Sequence, residues 1–182
     1  MVINWLPSIP ASNDRDIALG QFMSAWGYLE MQLMVIFYLL IGTPYEIAYK
    51  IFNTGFQSST LVDLLKALGQ TRLIESEQQQ LNSLCRRYSN AALKRNKIVH
   101  GNWVLETNPK DSFPTQWVRV CIPINPTLQK QIDDKFNQKT RRKYRFTIEQ
   151  LLECCENINS LSNDMKIIGG MIMGRLYPDK LP

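Results

Sequence analysis

Between Asp14 and Ile41 apolar side chains recur at steps of three and four: Leu19, Phe22, Met23, Trp26, Leu29, Leu33, Ile36, Phe37 and Leu40. After Asp16 the only charge in that stretch is Glu30. This period fits a helix and not a strand, and so apolar a helix has to bury a wide face. Ser12, Asn13 and Asp14 supply polar caps for a start near Asp14 or Arg15, and Gly42-Thr43-Pro44 supplies the stop. At about 1.5 Å per residue the helix is roughly 40 Å long, enough for one wall of a bundle. Its apolar run from Met31, broken by Gln32, is too short for a bilayer core of about 30 Å, so it reads as a buried core helix with no membrane partner. The first sixteen residues lack a basic start followed by a long apolar run, which argues against a signal peptide and for a cytoplasmic protein.

Further helices follow by the same criteria. Tyr45–Phe52 is short and broken at Asn53-Thr54-Gly55; a third begins at Ser58, Ser59 or Thr60 and ends at Gly69. The fourth runs from about Glu75 to His100, with Leu81, Leu84, Tyr88, Ala91, Ala92 and Val99 as its stripe and Gly101 as its stop. From Asn102 the pattern changes. Trp103–Leu105 and Trp117–Ile122 are strand-like, with the turn residues Asn108–Asp111 between them and a short helix expected at Thr127–Asn137. Thr147-Ile148-Glu149-Gln150 is a capping box opening a last helix whose stripe is Leu151, Cys155, Ile158, Leu161, Met165, Ile168 and Ile172. The expected fold is therefore all-α: an antiparallel bundle of four to five helices, one domain over residues 1–182. A small β-hairpin or irregular insertion at about 104–146 separates its last two long helices.

The chain has four cysteines, Cys85, Cys121, Cys154 and Cys155, with no C-x-x-C pair, and a single histidine, so no zinc constellation is expected and no metal is assigned. Nor is there a Gly-rich phosphate loop or a paired cysteine–histidine nucleophile, so no cofactor is assigned. Charge is distributed unevenly. Residues 86–146 hold fourteen Lys and Arg against four acids, whereas the rest of the chain is net acidic. A basic middle third suits a polyanion, and RNA or DNA is the usual one, although a solvated basic surface has the same composition.

The lone histidine closes the run Arg95-Asn96-Lys97-Ile98-Val99-His100-Gly101. Arg95 lies seven residues after Tyr88, on the inward face, where an unpaired guanidinium is costly. Glu30 is the obvious mate, and an Arg95–Glu30 ion pair across the bundle is expected. His100, turned by about 140° from Arg95, lies in the last turn, where helix carbonyls favour imidazolium. Asn96 is one turn before it. An arginine for phosphate, a histidine for protons and a nearby amide suffice to cleave RNA without metal. Lys94, Lys97 and the cluster Arg141, Arg142, Lys143 and Arg145 are the candidate RNA-binding cations, with Trp103 and Tyr144 as possible stacking surfaces.

Arg95–His100 resembles the Arg-x4-6-His motif, with a polar residue after the arginine, of the HEPN superfamily of helical-bundle proteins. Trp26–Glu30 (WGYLE) is also similar to the first-helix pattern of bacterial members. The resemblance covers about 14–103 and 147–176 and leaves 104–146 unexplained. It implies a metal-independent endoribonuclease with Arg95 and His100 catalytic and Asn96 supporting, in a cleft shared by a homodimer. It also implies a toxin or phage-defence role, sometimes beside a cognate antitoxin. The alternative is a non-catalytic helical module binding a protein or nucleotide, with Arg95–Glu30 as a structural pair.

Overall fold

The computed structural model describes residues 13–54, 58–107, 114–120 and 145–180, with residues 13, 102–107, 114–120, 145 and 180 described by backbone alone. The expected turn at Asn108–Asp111, the helix at Thr127–Asn137 and the cations Arg141, Arg142 and Lys143 lie outside these residues. The described helices are α1 Asn13–Ile41, α2 Tyr45–Phe52, α3 Ser58–Arg72, α4 Glu75–Val99 and α5 Ile148–Leu176, with a 3-10 turn at Pro178–Lys180. Between α4 and α5 lie strands β1 Asn102–Thr107, β2 Pro114–Val120 and β3 Arg145–Phe146. They form one antiparallel sheet in the order β1-β2-β3, pairing Leu105 with Trp117 and Arg119 with Phe146.

Apolar periodicity accounts for the helices. On α1, Phe22, Leu29, Leu33, Ile36, Phe37 and Leu40 are fully buried, and α5 buries all seven residues of its stripe. Two stripe residues depart from this: Leu19 is half-buried, and Met23 is 39% exposed because it lies on the flank of the stripe rather than on its centre. The α5 start follows the capping box: the Gln150 amide donates to Thr147 Oγ1 and the Thr147 amide donates to Gln150 Oε1.

The helices are not uniformly antiparallel. The Tyr177 hydroxyl, just past α5, donates to the Leu39 carbonyl near the end of α1. Gly169 lies against Ile36, and Phe22 lines one groove with Cys154 and Ile158, so α1 and α5 run side by side in the same direction. Arg72, the last residue of α3, likewise reaches Leu40 near the end of α1. Of the four long helices only α4 runs the other way: Gly69 meets Leu81, and Glu77 and Lys94 lie beside the late and early parts of α5. The expected antiparallel bundle is thus corrected to α1, α3 and α5 in one sense and α4 in the other. The physical reason is that the chain returns along the bundle between α1 and α3: Ser58, which opens α3, is near enough to act on the Tyr88 hydroxyl, and Tyr88 stacks on Trp26 in the middle of α1. The α4 C-terminus, both ends of the sheet segment and the α5 N-terminus consequently gather at the end of the bundle where α1 starts.

At the opposite end Gly42 has φ +66, the left-handed conformation that ends many helices, while Arg72 Nη1 donates to the Leu40 carbonyl across it. A Cβ on Gly42 would fall on the Arg72 guanidinium. Gly42→Ala is therefore expected to cost roughly 2 kcal/mol, from left-handed strain plus loss of that cap, read as a lower urea midpoint at unchanged slope.

Candidate functional site

Helix α4 carries Arg95, Asn96 and His100, and its geometry gives them different surroundings. Its buried residues, Leu81, Leu84, Cys85, Tyr88, Ala92 and Ile98, share one side. Arg95 lies on that side and is half-buried; Asn96 and His100 are exposed. His100 is the first residue past the helix, with φ −89 and ψ 4, and its amide donates to the Asn96 carbonyl at 3.2 Å. Gly101 does not take the left-handed conformation of a helix-stop glycine; it is buried, and its amide donates to the Ile98 carbonyl.

The expected ion pair between Arg95 and Glu30 is not formed: among the described residues the ion pairs are Arg15–Asp16, Arg87–Asp164 and Arg175–Glu77. The Arg95 guanidinium lies instead over the indole of Trp26, its carbon 5.9 Å from the ring centroid. Trp26 in turn stacks on Tyr88, with centroids 5.6 Å apart and planes 24° from parallel. Arg95 Nη1 donates to Asn96 Oδ1 at 3.2 Å, which turns the guanidinium towards the side of α4 that ends in His100. Arg95 Nε and Trp26 Nε1 are buried with no hydrogen-bond partner. The physical reason for the correction is a competing surface: a broad π face offers the cation a desolvated resting place without a carboxylate.

Tyr88 records the electrostatics of the cluster. Burial pushes its hydroxyl above the ordinary tyrosine range, a hydrogen bond with the Ser58 side chain works against that, the Glu30 charge adds to it and Arg95 offsets it. Glu30 is thus close enough to act through space while remaining half-buried and unpaired with Arg95.

The other candidates are spread around α4. Lys94 is exposed and Lys97 half-buried. Lys94 lines a groove of about 180 Å³ between α4 and α5 with Phe22, Arg87, Asn90, Cys154 and Asn157, and neither Arg95 nor His100 borders it. Arg145 is placed in β3 by its backbone, and Trp103 in β1. The three thiols among the described residues are unsuited to nucleophilic work: burial pushes Cys85 up to about 11, and burial likewise raises Cys154 and Cys155.

Sequence reasoning named Trp26 only as a core residue and as part of WGYLE, and missed its contact with Arg95. The available signal was that Tyr88 and Arg95 share an inward face while Trp26, the one tryptophan of α1, stands on its apolar stripe with no charge nearby but Glu30. Set against known proteins, the chain matches no family model, and no curated protein or solved structure gives a significant match.

Proposed function

We propose that this chain is a metal-independent endoribonuclease of HEPN type, acting in the cytoplasm on RNA at a cleft completed by a second copy. The observation that carries this reading is the state of Arg95. Its guanidinium is free of Glu30 and turned onto Asn96, on the side of α4 that ends in an exposed His100. An arginine neutralised by a buried carboxylate would be unavailable to phosphate; this one is not neutralised.

In the proposed reaction the ribose 2′-oxygen attacks the adjacent phosphorus and the bond to the 5′-oxygen breaks, leaving a cyclic phosphate. A proton leaves the 2′-hydroxyl and another reaches the departing oxygen, while Arg95 stabilises charge on the phosphoryl oxygens. Each chain has one histidine, so two copies facing each other supply one His100 as base and one as acid. Asn96 accepts one hydrogen bond from the guanidinium and so helps to orient it. Lys94, Lys97 and the cations at 141–145 would attract the RNA backbone. A toxin or phage-defence role with a cognate antitoxin belongs to the same proposal, as does one domain over residues 1–182 with an insertion at about 104–146.

The test is cleavage of a mixed RNA pool in EDTA by wild type and His100→Ala. Wild-type cleavage is expected to fall by about 100- to 10,000-fold in the variant, the usual weight of general acid–base catalysis. Equal cleavage by both proteins would mark a contaminant and end the reading.

A further inference from the structure

We infer that Trp26 and Tyr88 form a platform that sets the plane and reach of the Arg95 guanidinium, which makes Trp26 a positioning residue of the Arg95–His100 site. Its functional consequence rests on the ribonuclease reading above; its geometry does not. An arginine on the inward side of a bundle normally takes a carboxylate, and a bidentate partner spends donors along one edge of the fork. Here Glu30 stands one turn beyond Trp26 on the same helix, and the pair is nevertheless not made. The ring face takes that place. A flat guanidinium over an indole is held by the negative π face, and its N–H groups, which lie in its own plane, are not used by that contact. One of them goes to Asn96, and Nε has no acceptor at all. The site thus tolerates an inward arginine with Nε sealed from any ligand, and spends only one Nη1 hydrogen, on Asn96, of the outer donors that an oxyanion would use.

The platform is itself braced. Trp26 is 3% exposed and Tyr88 2% exposed, so neither ring has room to tilt. Tyr88 lies on the same helix as Arg95, seven residues earlier, and Trp26 comes from α1. The indole is therefore packed against α4 by Tyr88, and Arg95 of the same helix lies over its ring. Two helices hold one ring, and that ring lies beneath the guanidinium.

Two readouts separate the platform from the chemistry. In isotope-labelled protein the Arg95 Nε–Hε resonance, assigned by its loss in Arg95→Lys, is expected upfield of the other arginines because of the indole ring current. It should move to the ordinary position in Trp26→Leu and stay displaced in Trp26→Phe, which keeps an aromatic face. In RNA cleavage, Trp26→Leu is expected to lose about 100-fold in kcat with little change in KM, as for a misplaced catalytic group, and Trp26→Phe to recover most of the loss. Circular dichroism identifies any variant that fails to fold; if Trp26→Leu does, Trp26→Phe and Tyr88→Leu carry the comparison. An unshifted Arg95 resonance in wild type overturns the platform. A folded Trp26→Leu protein with wild-type kcat overturns the positioning role. Wild type that cleaves no RNA defeats the ribonuclease reading alone, since the resonance still decides whether the ring holds the arginine.

Discussion

Glu77→Ala is expected to cost the fold roughly 2–3 kcal/mol at neutral pH, seen as a lower denaturant midpoint. Glu77 is 3% exposed at the start of α4, in the middle of a knot that joins three helix ends. Its Oε1 accepts from Arg175 Nε at 2.9 Å, and its Oε2 accepts from Arg175 Nη2 at 2.6 Å and from the Ile74 amide at 3.2 Å. Arg175, from the last turn of α5, also donates to the Arg72 carbonyl that ends α3. Alanine removes the carboxylate and leaves the guanidinium with that carbonyl alone. Breaking a fully buried pair costs about 3–5 kcal/mol; about a third of the Arg175 side chain is exposed, so water recovers part of the loss and the lower figure applies.

The pH dependence has a fixed sign. Hydrogen bonds from Arg175 hold the Glu77 carboxyl below its ordinary value of 4.5. The contribution is therefore complete above about 4.5 and is lost as pH falls through the lower folded-state value. The stability gap between wild type and Glu77→Ala should narrow progressively below that point. A gap of constant size down to strong acid would show that the carboxylate charge is not what holds the knot.

Much of this architecture is legible in the sequence because burial imposes a period. The α2 limits, the α5 capping box and the buried stripes of α1 and α5 all follow from residue order alone. Helix direction does not. Nothing local tells whether the chain returns along α1 before α3 begins, and that decides which helices run together. The site divides in the same way. The inward position of Arg95 follows from its seven-residue step beyond Tyr88, and the exposed helix end at His100 follows from the pattern change after Gly101. The resting place of the guanidinium does not follow, because counting charges finds Glu30 and is blind to an aromatic face. Asn96 was legible as the polar residue after Arg95 and one turn before His100; its side-chain bond to Arg95 depends on which way Trp26 turns the guanidinium.

Mixing wild type with a ninefold excess of His100→Ala chains is expected to lower RNA cleavage per wild-type chain by about tenfold, if subunits are allowed to exchange. A single chain brings one His100, exposed at the end of α4, and one Arg95 held against its own α1. Proton removal from the 2′-hydroxyl and proton delivery to the leaving oxygen need groups on opposite sides of the phosphorus, which one imidazole does not reach in a single in-line displacement. In the proposed shared cleft a second copy provides the other. In random pairing the share of wild-type chains facing a wild-type partner equals the wild-type fraction, so the loss tracks dilution and not the amount of wild type present. A site contained in one chain would instead keep its activity per wild-type chain at any mixing ratio. Light scattering on the same mixture checks that the variant still associates. If it does, and activity per wild-type chain stays flat, the shared cleft is excluded, and Arg95 and His100 must act within one protomer.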